Sequence, residues 1–152
     1  MTHIYDQAAS TTAAKVEGSE TTLSYGSATL DGYFVTDTVC LATEDSMCVE
    51  NFKFFEITKD QGLSFDGILG LSPISDKNAG DSIVQSMYKN NMIDREKATF
   101  HLNMGGTNST VTFGRTPDGI LRGGTVSLDL VSKYDNWWTA KLRGNHYGGK
   151  SI

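Results

Sequence analysis

The sequence predicts a mainly β fold with one short helix, and three observations carry that expectation. Runs of strand-forming residues recur at 21–25, 32–40, 52–57, 99–102, 110–113 and 125–130. Clusters of Gly, Asn, Asp and Ser separate them and suit turns. Helical spacing of apolar residues is confined to one segment, 80–89.

Taken in chain order, the run at 21–25 ends on Tyr25, and Gly26 and Ser27 follow as turn residues before the chain returns through 32–40. Cys40 and Cys48 then flank a polar centre between apolar neighbours, which is the outline of a hairpin loop joining 32–40 to 52–57. A disulfide between them would close a short loop and stabilise the chain by about 2.5 kcal/mol in the chain-entropy account. Two free thiols are the alternative. In segment 80–89 a cap at Asp81 or Ser82 precedes Ile83, Val84 and Met87, which share one face of a helix; Met92 and Ile93 anchor its exit.

Composition limits the function classes. With 152 residues, 38% hydrophobic and 20% charged, the chain suits one soluble domain or part of one, and its two prolines form no linker. A net charge of -5 offers no basic stripe for phosphate contacts, so nucleic acid is not an expected partner. Apolar runs fall short of the roughly 18 residues needed to span a bilayer, so no membrane role is expected.

The first twenty residues lack a basic start followed by an apolar block. Either the protein is cytosolic or its true start is missing. A Cys40–Cys48 bridge would favour the secretory or lysosomal system. Asn108-Ser109-Thr110 is a glycosylation acceptor by pattern and fits the same compartment. His3, His101 and His146 are scattered and read as surface or satisfied residues; no metal or cofactor is expected.

Three ordered pieces resemble the pepsin-like (A1) family of aspartic endopeptidases. Tyr25-Gly26-Ser27-Ala28-Thr29-Leu30-Asp31-Gly32, followed by Thr36-Asp37-Thr38-Val39, resembles the family's flap hairpin and its returning strand, and Tyr5 to Thr12 its approach. Phe65-Asp66-Gly67-Ile68-Leu69-Gly70-Leu71 resembles the turn that braces the active-site loop, with Ile68 and Leu69 expected in a core and Gly70 at a close backbone approach. The helix and the runs after it follow in family order. Gly123 to Val126 resembles the entry to the linking sheet, and Trp138 reads as a core tryptophan.

The resemblance implies a pepsin-like aspartic protease fold: most of the N-terminal lobe and the start of the inter-lobe sheet, with residues 1–152 as one partial domain. Tyr25, Gly26 and Ser27 would cover the substrate. Phe65 and Ile68 would line an apolar pocket beside the scissile bond, with core packing as the alternative for both. Ala28 stands where the family usually has glycine, and would be strained if that position needs positive φ.

Hydrolysis in this family uses two aspartates sharing one proton, each on an Asp-Thr-Gly or Asp-Ser-Gly loop. No such triplet occurs here: Asp37-Thr38 precedes Val39, and Asp81-Ser82 precedes Ile83. The chain as given is therefore expected to be inactive, a truncated portion of a secreted or lysosomal/vacuolar endopeptidase acting on peptides. A non-catalytic peptide-binding or inhibitor protein is the alternative. Apolar surface left uncovered would favour self-association.

Overall fold

The computed structural model describes residues 4–41, 47–64, 66–76, 78–103, 105–121, 123–131, 133, 136–142, 144 and 146–151. Four strands, β1 (Ala14–Lys15), β2 (Thr21–Tyr25), β3 (Ala28–Cys40) and β4 (Cys48–Gln61), form one antiparallel sheet. β3 is its axis. β4 pairs along one edge from Thr29↔Gln61 to Cys40↔Cys48, while β2 and then β1 share the other edge.

Expected runs 32–40 and 52–57 thus lie within longer strands: β3 starts at Ala28, directly after the two-residue turn at Gly26 and Ser27, and β4 extends the second run to Cys48 and Gln61. The far end of the β3/β4 ladder is closed by the Cys40–Cys48 disulfide, with Cα atoms 3.9 Å apart. The bridge holds the hairpin at the end opposite the flap turn.

Gly32 sits at a register shift in this ladder. A Cβ there would lie 2.0 Å from the Glu56 carbonyl oxygen, so only glycine lets β4 approach so closely. Phe34 and Phe55, directly paired across the strands, pack edge to face at 5.3 Å.

Helix α1 (Ile83–Lys89) buries Ile83, Val84 and Met87, the face its spacing predicts. They pack with Val49 and Phe52 of β4, and Met92 and Ile93 lean on the same cluster. Ser82 occupies the cap position, yet its hydroxyl donates to the Ser72 carbonyl at 2.9 Å instead of capping. Asp81 accepts from the Lys53 backbone N–H at 2.8 Å, so both cap candidates fasten the helix start to neighbouring chain.

β5 (Ala98–His101) and β6 (Thr110–Phe113) form a separate hairpin, and β7 (His146–Tyr147) pairs with β8 (Lys150–Ser151). The run at 125–130 is not a strand. Val126 and Leu128 stand 87% and 71% exposed, and only Leu130 forms a bridge, with Ala140. Among the described residues this run meets no strand to pair with, and its propensity alone does not order it.

Trp138 is likewise not a core residue: it is 68% exposed. Its Nε1–H donates to the Leu71 carbonyl at 2.6 Å, and Asn136 donates to Asp76 close by. The tryptophan is held by its polar edge. No helix of the described residues is long and apolar enough to cross a membrane.

Candidate functional site

The flap is a strand-turn-strand unit whose two faces differ because side chains alternate along each strand. Leu23 and Tyr25 of β2 share a face with their cross-strand partners Leu30 and Ala28 of β3. The opposite face carries Thr22, Ser24, Thr29 and Asp31, and Thr22 donates to Asp31 at 2.7 Å. Every apolar residue of the hairpin is therefore on one side.

At the tip, Gly26 has φ of +61° and Ser27 completes the turn. A glycine first in a two-residue hairpin turn matches the twist of the flanking strands. Ala28 needs no positive φ: it is already in β3, buried to 5% exposure opposite Tyr25. The strain anticipated for an alanine here does not arise, because the left-handed position is taken by Gly26.

Beneath that apolar face lies a pocket of about 340 Å³. Leu23, Tyr25 and Leu30 contribute from the flap, Phe54 to Ile57 from β4, and Leu63, Gly67, Ile68 and Gly70 from the following loop. Tyr25 and Ile68, both expected near substrate, thus line one cavity. Phe65 lies outside the described residues. Gly26 and Ser27 sit at the tip of the hairpin and do not line it.

Two expectations for the bracing turn are corrected. Ile68 and Leu69 are 45% and 49% exposed and do not fill a core. A Cβ added at Gly70 would meet open space, so no close backbone approach requires glycine there. The segment lies at the pocket rim, where the described residues put no layer over it. Leu71, next in sequence, does lean on the α1 core.

The flap's returning strand is tied to its approach through Asp37, a carboxylate buried to 5% exposure. The hydroxyls of Tyr5, Ser10 and Thr12 and the Thr38 backbone N–H all donate to it. Burial pushes Asp37 toward protonation, but the donors from Thr12, Tyr5 and Ser10 outweigh it and hold the carboxyl below its usual range. Burial and the Asp37 charge push the Tyr5 hydroxyl well upward, so it stays a donor at any physiological pH. Tyr5 also packs edge-on against Phe54 at 5.0 Å and lines the pocket.

Pocket residues Tyr5, Leu23, Leu30 and Phe54 were not singled out from sequence. The alternation of Leu23 and Tyr25 with Thr22 and Ser24 was the available signal for the flap's inner face. Glu56 also lines the pocket, and its Oε2 is buried without a hydrogen bond among the described residues. No group of three or more His, Cys, Asp or Glu among the described residues is placed to hold a metal ion.

The family model of the eukaryotic aspartyl proteases matches residues 1–152. Plasmepsin IV of Plasmodium falciparum is 37% identical over 109 residues, covering 66% of this chain and 23% of plasmepsin IV. A probable vacuolar protease A of Trichophyton verrucosum (strain HKI 0517) is 32% identical over 139 residues, covering 85% of this chain and 34% of that protein. The chain spans about a third or less of the length of these relatives.

Among solved structures, the aspartic proteinase from Irpex lacteus shares the fold with a TM-score of 0.67 at 21% identity, over 86% of this chain and 41% of that one. The mainly β architecture with one helix is that of the N-terminal portion of a pepsin-like fold. Matched along its whole length, the chain belongs to the eukaryotic aspartyl protease family.

Proposed function

We propose that this chain supplies the substrate-covering flap and one wall of an apolar side-chain pocket to an aspartic endopeptidase. The observation that carries the reading is that Tyr25 and Ile68, from segments more than forty residues apart in sequence, line one pocket. Its dyad would come from the rest of the parent protein, since none of the 152 residues forms an Asp-Thr-Gly or Asp-Ser-Gly loop.

In this reading the apolar underside of the flap lies over the substrate backbone and excludes water from the dyad, which strengthens its electrostatics. Backbone groups at Gly26 and Ser27 hold the peptide in register. Leu30, Phe54 and Ile68 would favour a hydrophobic substrate side chain, one methylene being worth about 1–3 kcal/mol of discrimination in such a pocket.

The parent would work in a secreted or lysosomal/vacuolar compartment. The Cys40–Cys48 disulfide supports an oxidising folding environment, and one relative is named a vacuolar protease. The 152-residue chain by itself would be catalytically silent and would self-associate through the exposed Val126, Leu128, Trp137 and Leu142.

Kinetics of the parent enzyme on a peptide with hydrophobic residues about the scissile bond test the reading. Tyr25→Ala should lower kcat/KM by about 10- to 100-fold through loss of positioning. Ile68→Asp should lower it selectively for hydrophobic side chains. Unchanged kcat/KM in both variants would remove the flap and pocket roles. The missing dyad loops favour a second reading, a peptide-binding or inhibitor protein of the same fold. That protein would bind such a peptide without cutting it.

A further inference from the structure

We infer that Asn108 is an N-glycan attachment site, accepting an oligosaccharide from a lipid diphosphate donor. Asn108-Ser109-Thr110 is the one Asn-X-Ser/Thr triplet in the sequence. It lies where β5 turns into β6: Thr110 opens β6 and pairs with His101, and Asn108 and Ser109 precede it in the connecting loop.

Asn108, Ser109 and Thr110 are all exposed. The loop is shaped by hydrogen bonds that leave the acceptor available: the Asn103 backbone N–H donates to the Ser109 hydroxyl at 3.1 Å, and Gly106 N–H to the Asn103 carbonyl at 3.2 Å. The Thr107 hydroxyl donates to Asn108 Oδ1 at 3.3 Å. Among the described residues no hydrogen bond engages Asn108 Nδ2, the atom that reacts. A bulky polar group can therefore leave this loop into solvent without disturbing the β5/β6 pairing.

Two observations independent of the triplet support the site. The Cys40–Cys48 disulfide belongs to an oxidising compartment, where the saccharide donor is also found. The pocket beneath the flap takes none of its lining from residues 98–113, so Asn108 is not a pocket residue whose modification would fill the cavity itself.

In the transfer step Asn108 Nδ2 attacks the anomeric carbon of the donor sugar. The bond from that carbon to the diphosphate oxygen breaks, the lipid diphosphate leaves with the electron pair, and Nδ2 gives up one proton. The product is a neutral N-glycosidic amide, with no oxidation or reduction.

Test expression uses the 152-residue chain behind a secretory leader in eukaryotic cells, with a second acceptor triplet appended at its C-terminus. Only molecules glycosylated on that tag are scored, which selects chains that entered the compartment whether or not they then fold. The expected result is a two-glycan species, with aspartate at position 108 after peptide-N-glycosidase treatment. Thr110→Ala should give the one-glycan species and Thr110→Ser should keep two. Chains carrying the tag glycan but unmodified Asn108 would overturn the assignment.

Discussion

The Tyr5 hydroxyl donates to Asp37 Oδ2 at 2.8 Å, and this contact fastens the approach segment to the strand that returns from the flap. Ser10, Thr12 and the Thr38 N–H complete the donor set around one buried carboxylate. The flap is thereby braced at a point well behind its tip.

Because Asp37 titrates below its usual range, its contribution has a definite sign with pH. The stability it adds is fully present above the unfolded-state pKa, about 3.9, and is lost as pH falls through the lower folded value. Asp37→Asn should lose about 1–3 kcal/mol in urea unfolding at pH 7, with the gap narrowing in strong acid. An equal deficit at both pH values would show that the charge is not what the donors hold.

Gly32→Ala should be among the most damaging single-methyl additions in the chain. The new Cβ would sit 2.0 Å from the Glu56 carbonyl oxygen and 2.9 Å from Phe55 Cζ, and a backbone atom in a paired strand cannot step aside. A loss of about 1–3 kcal/mol in unfolding free energy is expected, as for overpacked cores.

Gly26→Ala meets open space, so only the backbone opposes it, through φ of +61°. A cost of about 1–2 kcal/mol is expected. It should appear as faster amide exchange at Leu23 and Tyr25, whose N–H groups face β3, while Val35 and Phe52 stay protected.

Removing the bridge with Cys40→Ala and Cys48→Ala together should lower stability by about 2.5 kcal/mol. The sheet should remain in far-ultraviolet circular dichroism, since the β3/β4 ladder extends away from the bridge to Thr29↔Gln61. Collapse of the sheet signal would mean that the ladder depends on the bridge.

Much of this was legible where the local signal and the tertiary setting agree. Ile83, Val84 and Met87 announced a buried helix face because their spacing and their packing coincide. Cys40 and Cys48 announced a hairpin because a short polar loop between apolar flanks has few other uses. Residues 125–130 misled, since strand propensity describes a residue's fit to a sheet and not the presence of a neighbour. Ile68, Leu69 and Trp138 misled similarly: apolarity says a side chain can be buried, and exposure depends on what covers it. The pocket itself was only half visible, because Phe54 and Tyr5 reach it from segments far from the flap in sequence.

In the proposed function these residues serve a dyad encoded elsewhere in the same protein, and sequencing the transcript in frame beyond codons 1 and 152 decides whether that dyad exists. An Asp-Thr-Gly or Asp-Ser-Gly loop is expected on each side. Stop codons bounding the chain as given, or an authentic longer reading frame without those loops, would contradict it and leave a non-catalytic peptide-binding protein of this fold.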